Sequence, residues 1–90
     1  MNKGDLVAAI AAETQGTKKD AERHVDAFLS VVSEALGRGE AVSLIGFGTF
    51  HIKEQAARSG RHPRTGEALA IPAKKLPSFR AGKQLKEQVD

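Results

Sequence analysis

The stretch AVSLIGFGTFHI, residues 41–52, decides the fold of this 90-residue chain, because the spacing of its large apolar residues changes here from helical to extended. Val42 and Leu44 are two positions apart, and Phe50 and Ile52 repeat that spacing after the short turn GFG. Side chains two positions apart lie on one face of a β-strand. The stretch therefore predicts two antiparallel strands joined by a glycine-flanked turn.

The sequence before this stretch predicts a helical hairpin. Asn2 and Thr17 each stand three positions before an aspartate, an arrangement typical of a helix N-cap. The first helix is predicted over residues 3–14, with Gly16 as its stop, and the second runs from Thr17 until glycines end it near residue 37. Two helices joined by so short a turn share an apolar face that another element must cover.

The sequence after Lys53 predicts a long arm that contributes little to the core. Large apolar residues stop there and resume only at Leu69 and Ile71, in a third strand that should continue without a break to about residue 80. The chain from about residue 55 to 74 therefore runs out, turns and returns as a protruding hairpin, which we call the arm. A two-stranded hairpin has marginal stability in water, so the arm should be mobile until a partner holds it.

These elements predict an α+β fold in one domain, residues 1–90. Its parts are an N-terminal helical hairpin that serves dimerisation, a three-stranded antiparallel sheet with the protruding β-arm, and a short C-terminal helix, assigned to residues 1–40, 41–82 and 83–90.

The size of the chain predicts a dimer. A monomer this small buries only about 60–65% of the surface of its unfolded chain, and the absence of cysteine removes disulfides as a further support. We therefore expect the second helices and the sheets of two subunits to share one core. The residues predicted for that dimer core are Phe28, Leu29, Val32, Leu36, Leu44, Phe47, Phe50 and Phe79.

Basic side chains are concentrated in the second half of the chain. The segment 53–86 holds nine basic residues and two acidic ones, a net charge of +7. A block of this kind favours a polyanionic partner such as nucleic acid. The alternative is a solvated basic face that serves solubility alone.

Three arginines of the segment RSGRHPRTGEA, residues 58–68, stand three positions apart. On a strand the spacing of Arg58, Arg61 and Arg64 alternates faces, and the neighbouring glycines and proline exclude a helix. The charge therefore lines both sides of a narrow ribbon, which suits the DNA minor groove with its two phosphate walls. The alternative is that these charges only prevent edge pairing.

Pro63 at the arm tip has two interpretations. It suits position i+1 of a type I turn formed by HPRTG. A rigid apolar ring without an N–H group also suits insertion between stacked base pairs. The first role does not exclude the second.

Other site chemistry finds no support in the residue pattern. His24, His51 and His62 show no metal-ligand spacing with any carboxylate, and GFGTFH lacks the third glycine of a dinucleotide fingerprint. No nucleophile can be paired with a base, so we expect no enzymatic activity, no cofactor and no metal. No apolar run approaches the roughly 20 residues of a membrane-spanning helix, and the absence of cysteine fits the cytoplasm.

Three separated motifs resemble the bacterial histone-like HU family of architectural DNA-binding proteins. They are GFGTF at 46–50, RSGRHPRTG at 58–66 and PSFRAGK at 77–83, and the resemblance covers the chain without gaps. It implies an intertwined dimer whose two arms embrace double-stranded DNA through the minor groove, bend it with little sequence preference and compact or stabilise the chromosome in the bacterial nucleoid. Because bending is costly, already bent, nicked or gapped DNA is the expected preferred form.

The resemblance also implies roles for individual residues. Pro63 is implied to intercalate between base pairs. The residues expected to contact DNA along the arm are Lys53, Gln55, Arg58, Arg61, His62, Pro63, Arg64, Lys74 and Lys75. Those expected to contact DNA on the body are Lys3, Arg80, Lys83 and Lys86. Gln55, His62 and Arg64 depart from the residues usual in the family, and His62 is expected to add a proton-dependent contact.

Several alternatives stay open at the level of the sequence. One is a sequence-specific architectural factor like the related integration host factor, and another is a protein-binding module that uses the arm as an exchangeable β-ribbon. The partner subunit is expected to be a second copy of the chain, with a paralogue as the alternative. RNA is an open second ligand, although double-stranded RNA should bind less well because its minor groove is wide and shallow.

Overall fold

The computed structural model describes residues 1 to 90 and contains three α-helices and five β-strands. This content confirms the predicted α+β fold. The chain divides into two compact units, Met1–Glu34 and Ala35–Asp90. The elements are α1 (Lys3–Thr14), α2 (Lys18–Gly37), β1 (Val42–Leu44), β2 (Gly48–Gln55), β3 (Arg58–Arg61), β4 (Ala68–Ile71), β5 (Lys74–Ala81) and α3 (Lys83–Val89).

Helix α1 is capped at both ends. The Asn2 side chain accepts a hydrogen bond from the Asp5 N–H (2.9 Å), and the Asp5 carboxylate accepts one from the Asn2 N–H (3.1 Å), so the predicted N-cap is a reciprocal capping box. At the other end the sequence assigns the stop to Gly16, whereas the left-handed residue is Gln15, with φ 55°. The Gly16 N–H donates to the Ala11 carbonyl, which completes the cap one residue later.

The first unit has a core of small residues. Val7 and Ala11 of α1 pack with Ala21 and Val25 of α2, and Ile10 packs against this cluster. No large side chain in the chain is completely buried. The helical hairpin therefore lacks the large buried side chains that stabilise most cores.

The second half of α2 leaves its large apolar residues accessible to solvent. Phe28 and Leu29 are 45% and 48% exposed, and Val32 and Leu36 are half-buried. All four belong to the predicted dimer core. Their exposure in a single chain is compatible with that prediction, because a second subunit would cover them.

Strands β1, β2 and β5 form an antiparallel sheet with β2 at its centre. Phe50 of β2 lies opposite Phe79 of β5, with ring centroids 4.8 Å apart. The Phe47 ring, in the turn before β2, lies 5.4 Å from the Phe79 ring between centroids. These aromatic rings form one apolar face, in which Phe47 and Phe79 stay 45% and 39% exposed.

Gly48 allows β2 and β5 to close tightly around this face. A Cβ atom at position 48 would lie 2.5 Å from the Phe79 ring and 2.6 Å from the Arg80 carbonyl oxygen. Only a residue without a side chain fits there without a shift of the backbone.

The arm corrects one expectation from the sequence. The third strand, predicted to run unbroken from Leu69 to about residue 80, is divided into β4 and β5 at residues 72–73, and β2 ends before β3 at residues 56–57. Pro72, which has no N–H to donate, lies at this break. Strands β3 and β4 consequently form a separate two-stranded sheet.

Candidate nucleic-acid interface

The β3–β4 hairpin presents arginine on both of its faces. Arg58 lies opposite Ile71 and Arg61 lies opposite Ala68 in the ladder. Because alternate residues of a strand point to opposite faces, Arg58 and Arg61 fall on opposite sides of the ribbon. Both residues are exposed, and neither forms an ion pair.

The arm tip, which we define as residues 62–67, is a closed loop. The His62 N–H donates to the Glu67 carbonyl (2.8 Å), and the Gly66 N–H donates to the His62 carbonyl (2.9 Å). The second bond spans one residue more than the predicted type I turn, so the tip is an α-turn. Gly66 has φ 72°, which favours glycine, and Pro63 is exposed.

The side chain of His62 forms part of the tip. Its Nδ1 accepts hydrogen bonds from the backbone N–H groups of Arg64 (3.2 Å) and Thr65 (3.4 Å), and the residue is half-buried. The sequence placed His62 at the start of the HPRTG turn, but for its side chain it suggested only a DNA contact. Its position immediately before Pro63 was the one available signal for a turn role.

The Arg61 side chain also contributes to the tip. Its guanidinium donates one N–H to the Gly66 carbonyl at 3.1 Å. An arginine side chain has five N–H groups, so four remain for other acceptors. Arg64, also predicted for DNA contact, is exposed and forms no ion pair.

One face of the three-stranded sheet gathers four of the predicted residues. Arg80 lies opposite Thr49 and Lys74 lies opposite Gln55, and residues directly opposite each other share a face. The alternation along each strand adds Lys53 to the same face. This polar face therefore carries Lys53, Gln55, Lys74 and Arg80, and it ends where the arm begins.

The sequence missed His51 as a member of this polar face. His51 lies opposite Ser78, between the Arg80 and Lys53 positions. The signal that identifies it is the period of two in β2, which places it with Lys53 rather than with Phe50.

Lys75 is separated from the other predicted arm residues. It lies opposite Glu54, on the same face of the sheet as Ile52. The alternation along β5 therefore puts Lys74 and Lys75 on opposite faces, although both were predicted to contact DNA along the arm.

Three predicted body residues lie close in sequence within the second unit. Arg80 belongs to β5, and Lys83 and Lys86 are three positions apart on α3, a spacing that places them on one side of the helix. All three are exposed and none forms an ion pair.

Lys3, the fourth predicted body residue, belongs to the first unit and is paired. Its ammonium group forms a salt bridge with the Asp26 carboxylate. The hydrogen bond to Asp26, followed by the charge of that carboxylate, raises the pKa of Lys3 above its ordinary value.

The structure shows neither a cluster of metal-ligating side chains nor a helix that could span a membrane. No group of three or more histidine, cysteine, aspartate or glutamate side chains is placed to hold a metal ion. None of the helices combines the length and the apolar character needed to cross a membrane.

Comparison with known sequences gives consistent matches over nearly the whole chain. The model of a family described as "Bacterial DNA-binding protein" matches residues 1–90. The chain is 58% identical over 88 residues to "DNA-binding protein HU" of Lactococcus lactis, covering 98% of this chain and 97% of that protein. It is 51% identical over 89 residues to the protein of the same name from Geobacillus stearothermophilus, covering 99% of each.

Solved structures agree with the sequence comparison. An Anabaena HU–DNA cocrystal structure superimposes with a TM-score of 0.89 at 46% identity, covering 99% of this chain and 97% of that one. HU from Thermotoga maritima gives a TM-score of 0.71 at 31% identity and full coverage of both chains.

Proposed function

Because this chain belongs to the bacterial DNA-binding protein family that includes HU, an architectural family without enzymatic activity, we propose that it binds double-stranded DNA through the minor groove and bends it with little sequence preference. The observation that carries the proposal is the exposed ribbon with arginine on both faces and proline at its closed tip.

The two-sided charge favours the minor groove over the major groove. The minor groove is narrow and has a phosphate backbone along each wall, so a thin ribbon with Arg58 on one face and Arg61 on the other meets both walls. Arginine suits such a groove because its guanidinium is planar and weakly hydrated. A reader of major-groove bases would instead present its contacts from one face of a helix.

Pro63 is proposed to enter the base stack. Apolar side chains inserted between base pairs kink DNA in minor-groove architectural proteins, and HU is one of the known examples of this class. The Pro63 ring is exposed and has no N–H group that would lose a partner within the stack. The α-turn beneath it limits the freedom that insertion would otherwise remove.

The polar face of the sheet and the basic residues of α3 are proposed to contact phosphates beneath the bend. Lys53, Lys74 and Arg80 share the polar face, and Lys83 and Lys86 lie on α3. Such contacts fix position and carry no sequence information, which fits a protein that compacts the nucleoid. DNA that is already bent, nicked or gapped needs less deformation energy and should bind more tightly than a straight duplex.

A dimer is proposed as the binding unit. Each unit of the chain leaves large apolar side chains exposed, including Leu29 at 48% and Phe47 at 45%. A second copy that covers them would supply the core that one chain lacks. A paralogue with the same apolar residues is the alternative partner, and RNA stays a second proposed ligand.

Competition experiments test the groove assignment. Affinity for a duplex of arbitrary sequence would be measured by fluorescence anisotropy with the minor groove occupied by a polyamide, and with cytosine C5-methylation in the major groove as the control. We expect the polyamide to weaken binding at least tenfold and methylation to leave it unchanged. The reverse pattern would exclude the minor groove.

Salt dependence tests the phosphate contacts. Each neutralised phosphate contributes about −0.9 to the slope of log affinity against log salt, so a dimer with roughly eight contacts should show a slope near −7. A slope close to zero would remove the basis for a nucleic-acid ligand and favour a protein partner for the arm.

A further inference from the structure

Four hydrogen bonds of the arm tip involve one residue, His62. Its backbone N–H donates to the Glu67 carbonyl and its own carbonyl accepts from the Gly66 N–H, and these two bonds close the loop. Its imidazole Nδ1 accepts from the N–H groups of Arg64 and Thr65, the two residues that follow the tip proline. In the sequence, Pro63 therefore stands between His62 and the two residues whose N–H groups the His62 imidazole binds.

We infer that His62 is the positioning residue of the arm tip: a neutral imidazole with an unprotonated Nδ1 holds the loop in the conformation that presents Pro63. The inference rests on the proposed function of Pro63. His62 acts here through the backbone of its neighbours, and any contact of its own with DNA is additional.

The geometry reproduces a turn that asparagine and aspartate commonly make. Their side-chain oxygen accepts from backbone N–H groups a few positions further along the chain. That oxygen, Oδ1, is bonded to Cγ, and the Nδ1 of histidine is bonded to Cγ as well. The acceptor of His62 therefore stands the same number of bonds from the backbone, but it is a ring nitrogen that becomes a donor when it carries a proton.

The hydrogen bonds also determine the tautomer of the ring. A neutral imidazole has one nitrogen that accepts and one that donates. Because Nδ1 accepts from Arg64 and Thr65, the proton is on Nε2. A DNA acceptor such as adenine N3, thymine O2 or a phosphate oxygen can then receive the Nε2–H without disturbing the loop.

Protonation of His62 has two opposed consequences. An imidazolium donates at both nitrogens, so the N–H groups of Arg64 and Thr65 lose their acceptor and the loop loosens. The added positive charge meanwhile favours binding to DNA phosphate. The other charged groups of this region are Arg58 and Arg61 of β3, Arg64 of the tip and Glu67 before β4.

Two substitutions separate these consequences. His62→Asn keeps an acceptor on Cγ and does not titrate, whereas His62→Ala removes the acceptor. Each full-length variant would be examined by NMR without DNA, through the hydrogen exchange of the Arg64 and Thr65 amides normalised to intrinsic rates, at about pH 8 and about pH 5, a range that spans ordinary histidine titration. Circular dichroism confirms that each variant is folded.

We expect acidification to speed the normalised exchange of these two amides about fivefold in the wild type, as expected for the loss of a weak hydrogen bond. His62→Asn should show no such change, and His62→Ala should exchange fast at both pH values. The wild-type imidazole should show the Nε2–H tautomer in its ¹⁵N shifts at high pH. His24 and His51 are unchanged in both variants and serve as internal controls.

DNA bending gives the second readout. By fluorescence energy transfer on an end-labelled duplex at about pH 8, His62→Ala should bend DNA less than the wild type, and His62→Asn should restore the wild-type bend. Normal amide protection together with a normal bend in His62→Ala would overturn the inference, as would failure of His62→Asn to restore either. If Pro63→Ala bends DNA normally while His62→Ala loses amide protection, the proposed role of Pro63 fails and the ordering of the tip by His62 stands.

Discussion

Arg61 combines a structural contact with a proposed DNA contact, whereas Arg58 has only the second. One N–H of the Arg61 guanidinium donates to the Gly66 carbonyl, and this bond connects β3 to the C-terminal end of the tip. The sequence predicted both arginines as equivalent contacts on opposite faces. The difference depends on a distance across the tip that no local pattern encodes.

This difference predicts distinct effects of two matched substitutions. Arg58→Ala should weaken DNA binding and reduce the salt slope by about 0.9 per lost phosphate contact, with the bend unchanged. Arg61→Ala should show the same losses and also a smaller bend, because the tip loses a hydrogen bond. Anisotropy across a salt series and bend measurements check this, and equal bends in both variants would contradict the structural role of Arg61.

The pairing of Lys3 with Asp26 predicts a pH-dependent stability. The pKa of Lys3 is raised in the folded protein by the Asp26 hydrogen bond and charge, so its contribution is fully present below the ordinary value of 10.5. The contribution is lost as pH rises through the folded-state pKa. The Tm of the wild type should therefore exceed that of Asp26→Asn at neutral pH, and the difference should shrink above about pH 10.5. A difference independent of pH in thermal unfolding would contradict this account.

At the scale of elements, the sheet shows what the sequence does and does not predict. The period of two in residues 42–52 correctly predicts two strands and places Phe50 and Ile52 on one face. The pairing of β2 with β5 depends on a register across a long excursion of the chain, and only that register places Lys74 opposite Gln55 and Lys75 opposite Glu54. The break at Pro72 could not be predicted from the proline alone, because Pro77 also lacks an N–H and lies within the unbroken β5.

Gly48 provides a test of the packing between β2 and β5. A Cβ atom at this position meets the Phe79 ring and the Arg80 carbonyl, so Gly48→Ala should destabilise the fold by about 1–3 kcal/mol. Gly37→Ala is the matched control, because a Cβ atom there meets nothing within 4 Å. Urea denaturation at one fixed protein concentration measures both. Equal stability of the two variants would show that the strands can separate enough to admit a methyl group.

At the scale of the whole molecule, the dimer stays a prediction, and the sequence supports it without coordinates. Dimerisation follows from chain length, the absence of cysteine and the number of large apolar residues, which are global quantities. The structure adds that no large side chain is completely buried in a single chain. The tip, in contrast, depends on hydrogen bonds of His62 and Arg61 that require coordinates.

The dimer proposal predicts unequal effects of adding charge at two exposed apolar positions. Leu29→Lys places an ammonium group in the proposed shared core and should lower both the Tm and the dimer fraction in sedimentation equilibrium. Val89→Lys alters a residue that is 81% exposed on α3 and should change neither. The wild-type Tm should also rise with protein concentration. A concentration-independent Tm together with a monomer mass would exclude the dimer.

The most direct test of the central claim is the bend angle of a short duplex bound by the wild type, Pro63→Ala and Pro72→Ala, measured by fluorescence energy transfer at saturating protein. Pro72→Ala removes a proline from the base of the arm and leaves the tip intact. We predict a smaller bend for Pro63→Ala, with part of the affinity retained, and a wild-type bend for Pro72→Ala. A wild-type bend in Pro63→Ala would contradict insertion of the proline, and an equal loss in both variants would attribute the bend to the stiffness of the arm.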